Sequence, residues 1–391
     1  MHIARFTIRG MSFTRNNTTG MPLTQDGALR PHSEAKVDLL REYLRNYLAV
    51  TTNTSHINAI HVYDLFCGPG LYGSAEGSPI IILRALKEIY DDRTAAGKIV
   101  PSLTCYLADK EPTNIQSVDR ATASLGLQSG AAYSVTTQVR TYGQSLQHVL
   151  AHASNPSIKQ FVFLDPTGYS DIKAKNLEEL LDKKAEILLF LPTQQMYRFI
   201  ANGTPAPLKD FVSDLTNYST WKPVGSAAAL AREIRDMYRS FLGKGVYVST
   251  FLIEKDSSTV FCLYFFTTKL QGYVKWIDAK WSLDGDAGSG YSFRNLPGQN
   301  SLVLDLHLQV LEHKLLTFLT PEKRNNCEIF EFAVIQEEFR ATHAMQVCKK
   351  LLKEGRITKH SLTGGRIPAS AFYINDKHYL NNDRKIEVEV V

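Results

Sequence analysis

Cysteine is scarce in this 391-residue sequence, and its cysteines do not form closely spaced pairs. Their number is odd and no Cys-x-x-Cys pair occurs; the five are Cys67, Cys105, Cys262, Cys327 and Cys348. This pattern argues against a disulfide framework or a zinc site, and it favours reduced, buried thiols.

Long apolar runs are also missing from the sequence. No stretch has the roughly 20 apolar residues that a membrane-spanning helix needs, and no signal-peptide pattern opens the chain. Internal repeats and low-complexity tracts are absent as well. We therefore expect a soluble, cytoplasmic protein that has no membrane partner.

Charge of one sign is in small excess, with a formal net charge of +5. This charge permits an anionic partner without requiring one. Apolar residues make up 44% of the chain and charged residues 21%, which is typical of globular proteins. The length predicts one large domain and a smaller one. Residues 1–30 carry arginines and little acid, so we interpret them as a basic N-terminal tail.

The most informative stretch is His61–Gly70, an apolar segment that runs into a glycine-rich turn. An apolar segment with helical character follows from Ile80 to Tyr90, and Pro79 suits the first turn of that helix. Strand, glycine turn and helix form the first unit of a nucleotide-binding α/β sheet, where glycines let the backbone approach a ligand closely.

The same alternation continues along the chain. Four more strands are predicted between helix-like segments, at residues 102–108, 132–139, 160–164 and 185–191. Two consecutive strands, 246–253 and 259–268, follow with only a polar turn between them. We therefore predict a doubly wound α/β domain over residues 31–295. Its Rossmann-like sheet would have seven mostly parallel strands, which is the layout of class I methyltransferases.

The turn after the first strand has the form Asp64-x-Phe66-x-Gly68-x-Gly70, which is typical of folds that bind S-adenosylmethionine. The strand-end carboxylate of such a turn can orient bound water or the amino group of the ligand. Asp109 ends the second strand, where an acidic residue hydrogen-bonds both ribose hydroxyls. We predict these five residues to bind S-adenosylmethionine as a cofactor; the alternative is a tight turn without a ligand.

Other groups near these motifs have weaker claims to a role. Glu111 competes with Asp109 for the ribose, and Cys67 is interpreted as a small apolar filler because no paired base is evident. The acidic, glycine-rich loop at residues 284–290 lacks the glutamate that closes a calcium loop. We therefore predict no metal site.

The fourth strand ends in Asp165-Pro166-Thr167-Gly168-Tyr169, at the sheet edge where open α/β folds carry out chemistry. Amino-methyltransferases place Asp/Asn-Pro-Pro-Tyr/Phe there, so that oxygens accept hydrogen bonds from a substrate nitrogen and the ring stacks on a base. Thr167 and the extra Gly168 depart from that pattern. We predict Asp165 and Tyr169 as catalytic residues that face the methyl acceptor; the alternative for Asp165 is loop capping.

From about residue 302 the pattern changes to a helix, a helix-turn-helix-like pair that ends near Lys353, and short strands. We interpret residues 302–391 as a winged-helix-like domain whose wing includes a strand at residues 371–374. Its basic face consists of Lys349, Lys350, Lys353, Arg356, Lys359 and Arg366. Such a domain binds either nucleic acid or protein.

Three motifs together make the sequence similar to the three-Cys-motif partner protein family. They are His32-Ser33-x-x-Lys36, then Tyr63-Asp64-x-Phe66-x-Gly68-Pro69-Gly70 with Gly77-Ser78-Pro79, and Phe163-Leu164-Asp165-Pro166-x-Gly168-Tyr169. They stand in the family's order. The resemblance implies a Rossmann-like, S-adenosylmethionine-dependent methyltransferase fold and a partner that carries a three-cysteine motif of radical-enzyme type.

Two positions depart from the family's pattern: Thr167 stands where phenylalanine is common, and Cys67 where alanine is common. The sequence leaves open whether His32 and Lys36 reach the site.

Three hypotheses about function follow from these motifs. The first is a methyltransferase that acts on nucleic acid or on a partner-bound substrate. The second is a non-catalytic partner that acts as a scaffold for a three-Cys-motif protein. The third is a DNA-binding regulator whose Rossmann-like part senses a nucleotide.

Overall fold

The computed structural model of the chain describes residues 31–152, 155–201, 203–222, 225–256, 259–285, 287–292 and 300–391. The predicted basic tail, residues 1–30, lies outside the described residues. Within the described part, no helix is both long and apolar enough to cross a membrane. The same part contains no group of three histidine, cysteine or acidic side chains that could hold a metal ion.

The described chain alternates helices and strands over most of its length. The strands are β1 Ala59–Asp64, β2 Leu71–Tyr72, β3 Ala75–Glu76, β4 Ser102–Asp109, β5 Ser134–Val139, β6 Ile158–Leu164, β7 Glu186–Leu191, β8 Tyr247–Asp256, β9 Thr259–Thr267, β10 Gly290–Ser292, β11 Arg324–Asn325, β12 Ile357–Ser361 and β13 Ile386–Val390. The helices are α1 Pro31–Thr51, α2 Ser78–Ala95, α3 Pro112–Ser124, α4 Tyr142–His152, α5 Ala174–Asp182, α6 Thr193–Ala201, α7 Ala206–Ser213, α8 Ala227–Leu242, α9 Leu270–Leu283, α10 Asn300–Leu319, α11 Asn326–Ile335, α12 Ala341–Lys353 and α13 Asp376–Leu380.

The central sheet has the strand order β10-β8-β9-β7-β6-β1-β4-β5. Strands β5, β4, β1, β6 and β7 are parallel, and β9 runs antiparallel to both β7 and β8. The predicted α/β fold, with a mostly parallel sheet closed by an antiparallel pair, is therefore confirmed.

The prediction of seven strands is wrong, because β10 adds an eighth strand beside β8. Gly290 pairs with Leu252 so closely that a Cβ atom on Gly290 would lie 2.5 Å from the Leu252 carbonyl oxygen. A glycine is therefore needed for the strand to join the sheet at this point.

Both faces of the sheet are covered, as parallel strands require. Alternate residues of β1 point to opposite faces: Val62 joins the core under α1, α2 and α9, whereas Tyr63 joins the core under α4, α5 and α8. Helix α1 is fixed by Tyr43, whose ring packs 5.7 Å from that of Trp276 and 4.7 Å from that of Phe265.

The strand order reverses between β1 and β6. From β1 the chain moves outward to β4 and β5, and it then returns to the other side of β1 to form β6. Open α/β sheets bind ligands in the crevice at such a switch point, outside the carboxyl ends of the strands. Asp64 ends β1 and Asp165 directly follows β6, so both lie at this crevice.

The C-terminal part contains α10 to α13 and an antiparallel sheet in the order β11-β13-β12. The strand predicted at residues 371–374 is wrong, and the strand that completes this sheet is Ile386–Val390. Phe372 and Ile374 are buried, but Tyr373 between them has a φ of 53°, which breaks an extended strand. The winged-helix interpretation stays a prediction.

A buried carboxylate joins the C-terminal part to the central sheet. Glu337, after α11, accepts hydrogen bonds from the Thr250 hydroxyl at 2.7 Å, from Arg235 at 2.7 Å and from Arg239 at 3.0 Å. Burial raises the pKa of Glu337, but the nearby cations, Lys280 first, outweigh burial and hold it below the usual value. The two parts are therefore linked by a buried ionic cluster.

Candidate functional site

The glycine turn after β1 adopts backbone conformations that favour glycine. Gly68 has a φ of 61° and Gly70 a φ of 79°, both in the left-handed region. A Cβ atom on Gly70 would lie 3.3 Å from Val118 Cγ2, and one on Gly68 would lie 2.8 Å from the Tyr72 hydroxyl oxygen. The turn therefore needs glycine for its backbone and for its close neighbours.

Asp109, at the end of β4, is tied to this turn. Its Oδ2 atom accepts a hydrogen bond from the Gly68 amide at 2.9 Å, and its Oδ1 atom accepts one from the Glu111 amide at 2.8 Å. A carboxylate offers about four lone-pair positions, so two remain for a ligand. The side chain of Asp109 is half-buried and thus remains accessible to one.

Asp64 is a fully buried carboxyl group beneath the turn. Its Oδ1 atom accepts a hydrogen bond from the Phe66 amide at 3.3 Å, whereas its Oδ2 atom accepts none of normal geometry. The pKa of Asp64 is raised to about 7, chiefly by burial; the Asp165 carboxylate adds to this rise, while the Ser78 hydroxyl and the Lys36 ammonium oppose it. Asp64 is therefore a buried acid whose Oδ2 atom accepts no hydrogen bond of normal geometry.

Asp165, on the other side of the crevice, forms an ion pair with Lys36. Lys36 Nζ lies 2.5 Å from Asp165 Oδ2 and 4.6 Å from the centre of the Phe190 ring. The side chain of Lys36 is 5% exposed and that of Asp165 18%. Helix α1 thus brings a buried cation to the carboxyl ends of β6 and β7.

The short hairpin of β2 and β3 lies over the glycine turn. Its Tyr72 is half-buried, and the pKa of the Tyr72 hydroxyl is raised by burial and then by Asp165, Asp64, Cys67 and Asp109. Tyr72 therefore lies close to all the carboxylates of the crevice. Sequence reasoning missed this residue, because nothing in the loop pattern indicates a hairpin that folds back.

Tyr169, Phe66 and Cys67 pack mainly against other side chains of the protein. Tyr169 is 6% exposed and its ring packs 5.8 Å from that of Phe211, so its assignment to the methyl acceptor stays a prediction. Phe66 stacks on Tyr142 with ring centres 5.4 Å apart. Cys67 is buried, and burial followed by the nearby Asp64 carboxylate raises the pKa of its thiol, which disfavours a nucleophilic thiolate.

The structure thus brings Asp64, Gly68, Gly70, Asp109 and Asp165 to one edge of the sheet, as the sequence predicted from strand ends. The arrangement places the Asp109 and Asp165 carboxylates and the Asp64 carboxyl group around a crevice that also holds the Lys36 ammonium. It favours a ligand that carries positive charge and donates hydrogen bonds.

Comparisons with known proteins give only distant similarities. No family model matches the chain, and no curated protein matches it. Among solved structures, an O-methyltransferase from Bacillus cereus in complex with SAH has 11% identity and a TM-score of 0.33, covering 58% of this chain and 80% of that one.

Two other solved structures have comparable scores. A putative caffeoyl-CoA O-methyltransferase from Staphylococcus aureus has 11% identity and a TM-score of 0.30, covering 59% of this chain and 82% of that one. A loganic acid methyltransferase with SAH has 9% identity and a TM-score of 0.28, covering 73% of this chain and 92% of that one. Identities and TM-scores this low transfer neither an activity nor a ligand to this chain.

Proposed function

We propose that this protein is an S-adenosylmethionine-dependent methyltransferase whose cofactor is held by Asp64, Phe66, Gly68, Gly70 and Asp109. The observation that carries the proposal is the buried Asp64 carboxyl group, whose Oδ2 atom accepts no hydrogen bond of normal geometry. A buried polar atom without a partner is unfavourable. A donor on a bound ligand would satisfy it.

The residues present fit this cofactor in charge and in hydrogen-bonding capacity. The two unused lone-pair positions of Asp109 suit a pair of ribose hydroxyls. S-adenosylmethionine carries positive charge on its sulfonium and amino groups, and the crevice holds more carboxylates than cations. These features support the proposal independently of the sequence motif.

In the proposed reaction, the cofactor supplies an electrophilic methyl group. The chain's own residues bind and orient the reactants, which is the main requirement of such a transfer. Asp64 and Asp109 hold the positively charged ligand, and Asp165 accepts a hydrogen bond from the methyl acceptor. A neutral acceptor must also lose a proton, and the Asp165 carboxylate is placed to receive it.

Calorimetric titration of S-adenosylmethionine and S-adenosylhomocysteine tests the proposal. We expect saturable binding to the wild type that weakens at least tenfold in Asp109→Asn. Asp91→Asn, at an exposed aspartate that pairs with Lys87, serves as the matched control and should bind normally. A folded wild type that binds neither ligand would refute the proposal and favour the non-catalytic scaffold.

We propose further that the C-terminal part is a winged-helix domain that contacts nucleic acid. Its elements follow one another as helix, strand, two helices, strand, a short helix and a final strand, and the last two strands pair antiparallel, which supports this assignment. However, much of the predicted basic face is engaged within the chain. Lys350 and Arg356 both pair with Glu312, and Lys359 Nζ donates to the carbonyl oxygens of residues 368, 369 and 371.

The cations of this face that remain for a phosphate backbone are therefore Lys349, Lys353 and Arg366, which are exposed and have no ion pair among the described residues. We expect Lys349→Ala and Lys353→Ala to weaken binding to a DNA duplex and to reduce its salt dependence. Lys350→Ala should have a smaller effect. Equal effects of all three changes, or no binding at low salt, would favour a protein partner. A three-Cys-motif protein is the candidate, tested by co-purification.

A further inference from the structure

Lys36 is a buried cation that contacts two groups, the Asp165 carboxylate and the Phe190 ring. Its side chain is 5% exposed, and it reaches across 129 positions of sequence to the Asp165 carboxylate. Burying an ammonium group is unfavourable unless it is paired and hydrogen-bonded. Here the ammonium lies between a carboxylate at 2.5 Å and the Phe190 ring at 4.6 Å.

The ion pair lies between the two halves of the proposed site. Asp165 follows β6, where an acceptor would be held, and Asp64 ends the neighbouring strand β1, where the cofactor would be held. The Asp64 carboxyl group is influenced by both members of the pair, in opposite directions. Lys36 thus affects the charge on both sides of the crevice.

We propose that Lys36 is a positioning residue that holds the Asp165 carboxylate as the hydrogen-bond acceptor for the methyl acceptor, and that this acceptor is a neutral molecule with an N–H or O–H group. This inference rests on the proposed methyltransferase function. It assigns a role to helix α1 and a chemical class to the substrate.

The charges of the crevice determine this class. An acceptor that is itself a carboxylate would meet Asp165, Asp64 and Asp109, and the only ammonium among these groups is already paired with Asp165. A neutral N–H or O–H group instead donates to Asp165, which keeps lone pairs beyond the one directed at Lys36. The acceptor atom would gain the methyl group as the carbon–sulfur bond of the sulfonium breaks and its electron pair stays on sulfur, which leaves as a neutral thioether. The acceptor's proton would pass to the Asp165 carboxylate and then to water, so the positive charge lost at sulfur leaves as a proton.

The first test follows the Asp64 carboxyl group directly, without any ligand. Its pKa is measured by carbon-13 NMR of protein labelled at the aspartate carboxyl carbons, with Asp64→Asn to assign the signal. Lys36→Met should raise this pKa because a cation is lost, and Asp165→Asn should lower it because an anion is lost. Lys36→Arg should restore the wild-type value. The other polar groups that face Asp64 are unchanged throughout; they are the Ser78 and Tyr72 hydroxyls, the Cys67 and Cys105 thiols and the Phe66 amide.

Shifts of opposite sign would show that both charges of the pair act on the Asp64 carboxyl group across the crevice. Lys87→Met is the matched control, because Lys87 forms an exposed ion pair of the same length, 2.5 Å, with Asp91. This variant should leave the Asp64 pKa unchanged. Shifts of the same sign in Lys36→Met and Asp165→Asn, or no shifts, would overturn the role of Lys36.

The second test addresses the acceptor with a matched pair of probes, benzamide and benzoate, which differ in charge at similar shape. With S-adenosylhomocysteine present, saturation-transfer NMR should detect benzamide and show benzoate to bind at least tenfold more weakly. Asp165→Asn should reduce this difference in affinity between benzamide and benzoate. Benzoate binding as tightly as benzamide, binding of neither probe, or a preference that Asp165→Asn leaves unchanged would overturn the substrate class.

The two tests also separate this inference from the proposed function. If the Asp64 shifts appear but the wild type binds no S-adenosylhomocysteine, the methyltransferase proposal fails while the coupling through Lys36 stands. If the cofactor binds but the shifts are absent, the methyltransferase proposal stands and the role of Lys36 falls.

Discussion

Replacing Asp64 by asparagine should stabilise the ligand-free protein at neutral and alkaline pH. The pKa of Asp64 is about 7 in the folded chain, against an ordinary value of 3.8. Because the folded state holds the proton more tightly, the stability that this group contributes is fully present below about pH 4. It is lost as the pH rises through about 7. At roughly 1.4 kcal/mol per pH unit, the loss amounts to about 4 kcal/mol at pH 8.

Asparagine resembles the protonated carboxyl group and does not titrate, so the advantage of Asp64→Asn should grow from about 1 kcal/mol at pH 4.5 to about 4 kcal/mol at pH 8. Urea denaturation of the ligand-free protein across this range measures the difference. Asp91→Asn, at an exposed aspartate, should show no comparable trend. A difference between Asp64→Asn and wild type that does not change with pH would refute the reasoning. The same variant should bind S-adenosylmethionine poorly, so stability and function would conflict at this position.

Three further predictions follow from the contacts of other residues. Glu337→Gln should destabilise the fold by about 3 kcal/mol in urea denaturation, because it leaves buried cations without their anion. The control, Glu338→Gln, changes a more exposed neighbour and should not destabilise the fold. Gly70→Ala should lower the free energy of unfolding by about 1–2 kcal/mol, because the φ of Gly70 is 79°, in the left-handed region, and Val118 is close. Gly143→Ala, within a helix and without close neighbours, should not lower the stability of the protein. The ratio of S-adenosylmethionine to S-adenosylhomocysteine affinity, measured by calorimetry, should rise between pH 6 and 8 as Asp64 becomes charged, and a constant ratio would contradict a role for its charge.

The central sheet could be predicted from the sequence because its strands are continuous apolar segments between helices. Segments such as Phe161–Leu164 and Ile187–Leu189 are buried on both faces, so their composition alone marks them. Strand β10 gave no such signal, since it has only three residues in a glycine-rich loop and is defined by its pairing with β8.

The last strand of the C-terminal sheet has a recognisable sequence pattern. Ile386, Val388 and Val390 alternate with glutamates, which is the period of a half-buried strand. Residues 371–374, Ala-Phe-Tyr-Ile, are apolar and for that reason resemble a strand. Phe372 and Ile374 are indeed buried, but in a loop, because apolar content indicates burial and not conformation.

Strand-end positions placed Asp64, Asp109 and Asp165 at one edge, because the carboxyl ends of parallel strands meet there. The ion pair between Lys36 and Asp165 could not be predicted in this way. It depends on how α1 packs across the sheet, which no local pattern determines. The burial of Tyr169 against Phe211 is likewise a tertiary contact, so its motif position did not reveal it.

Helix α1 combines a structural role with the proposed functional one, and the two depend on each other. The ring of its Tyr43 packs edge-on against the stacked rings of Phe265 and Trp276, which fixes the axis of the helix against the sheet. Lys36 lies two turns before Tyr43 on the same helix, so the packing of the aromatic residues determines where its ammonium group is held. The position of Asp165 at the crevice therefore depends on the packing of α1 as well as on the loop that carries it.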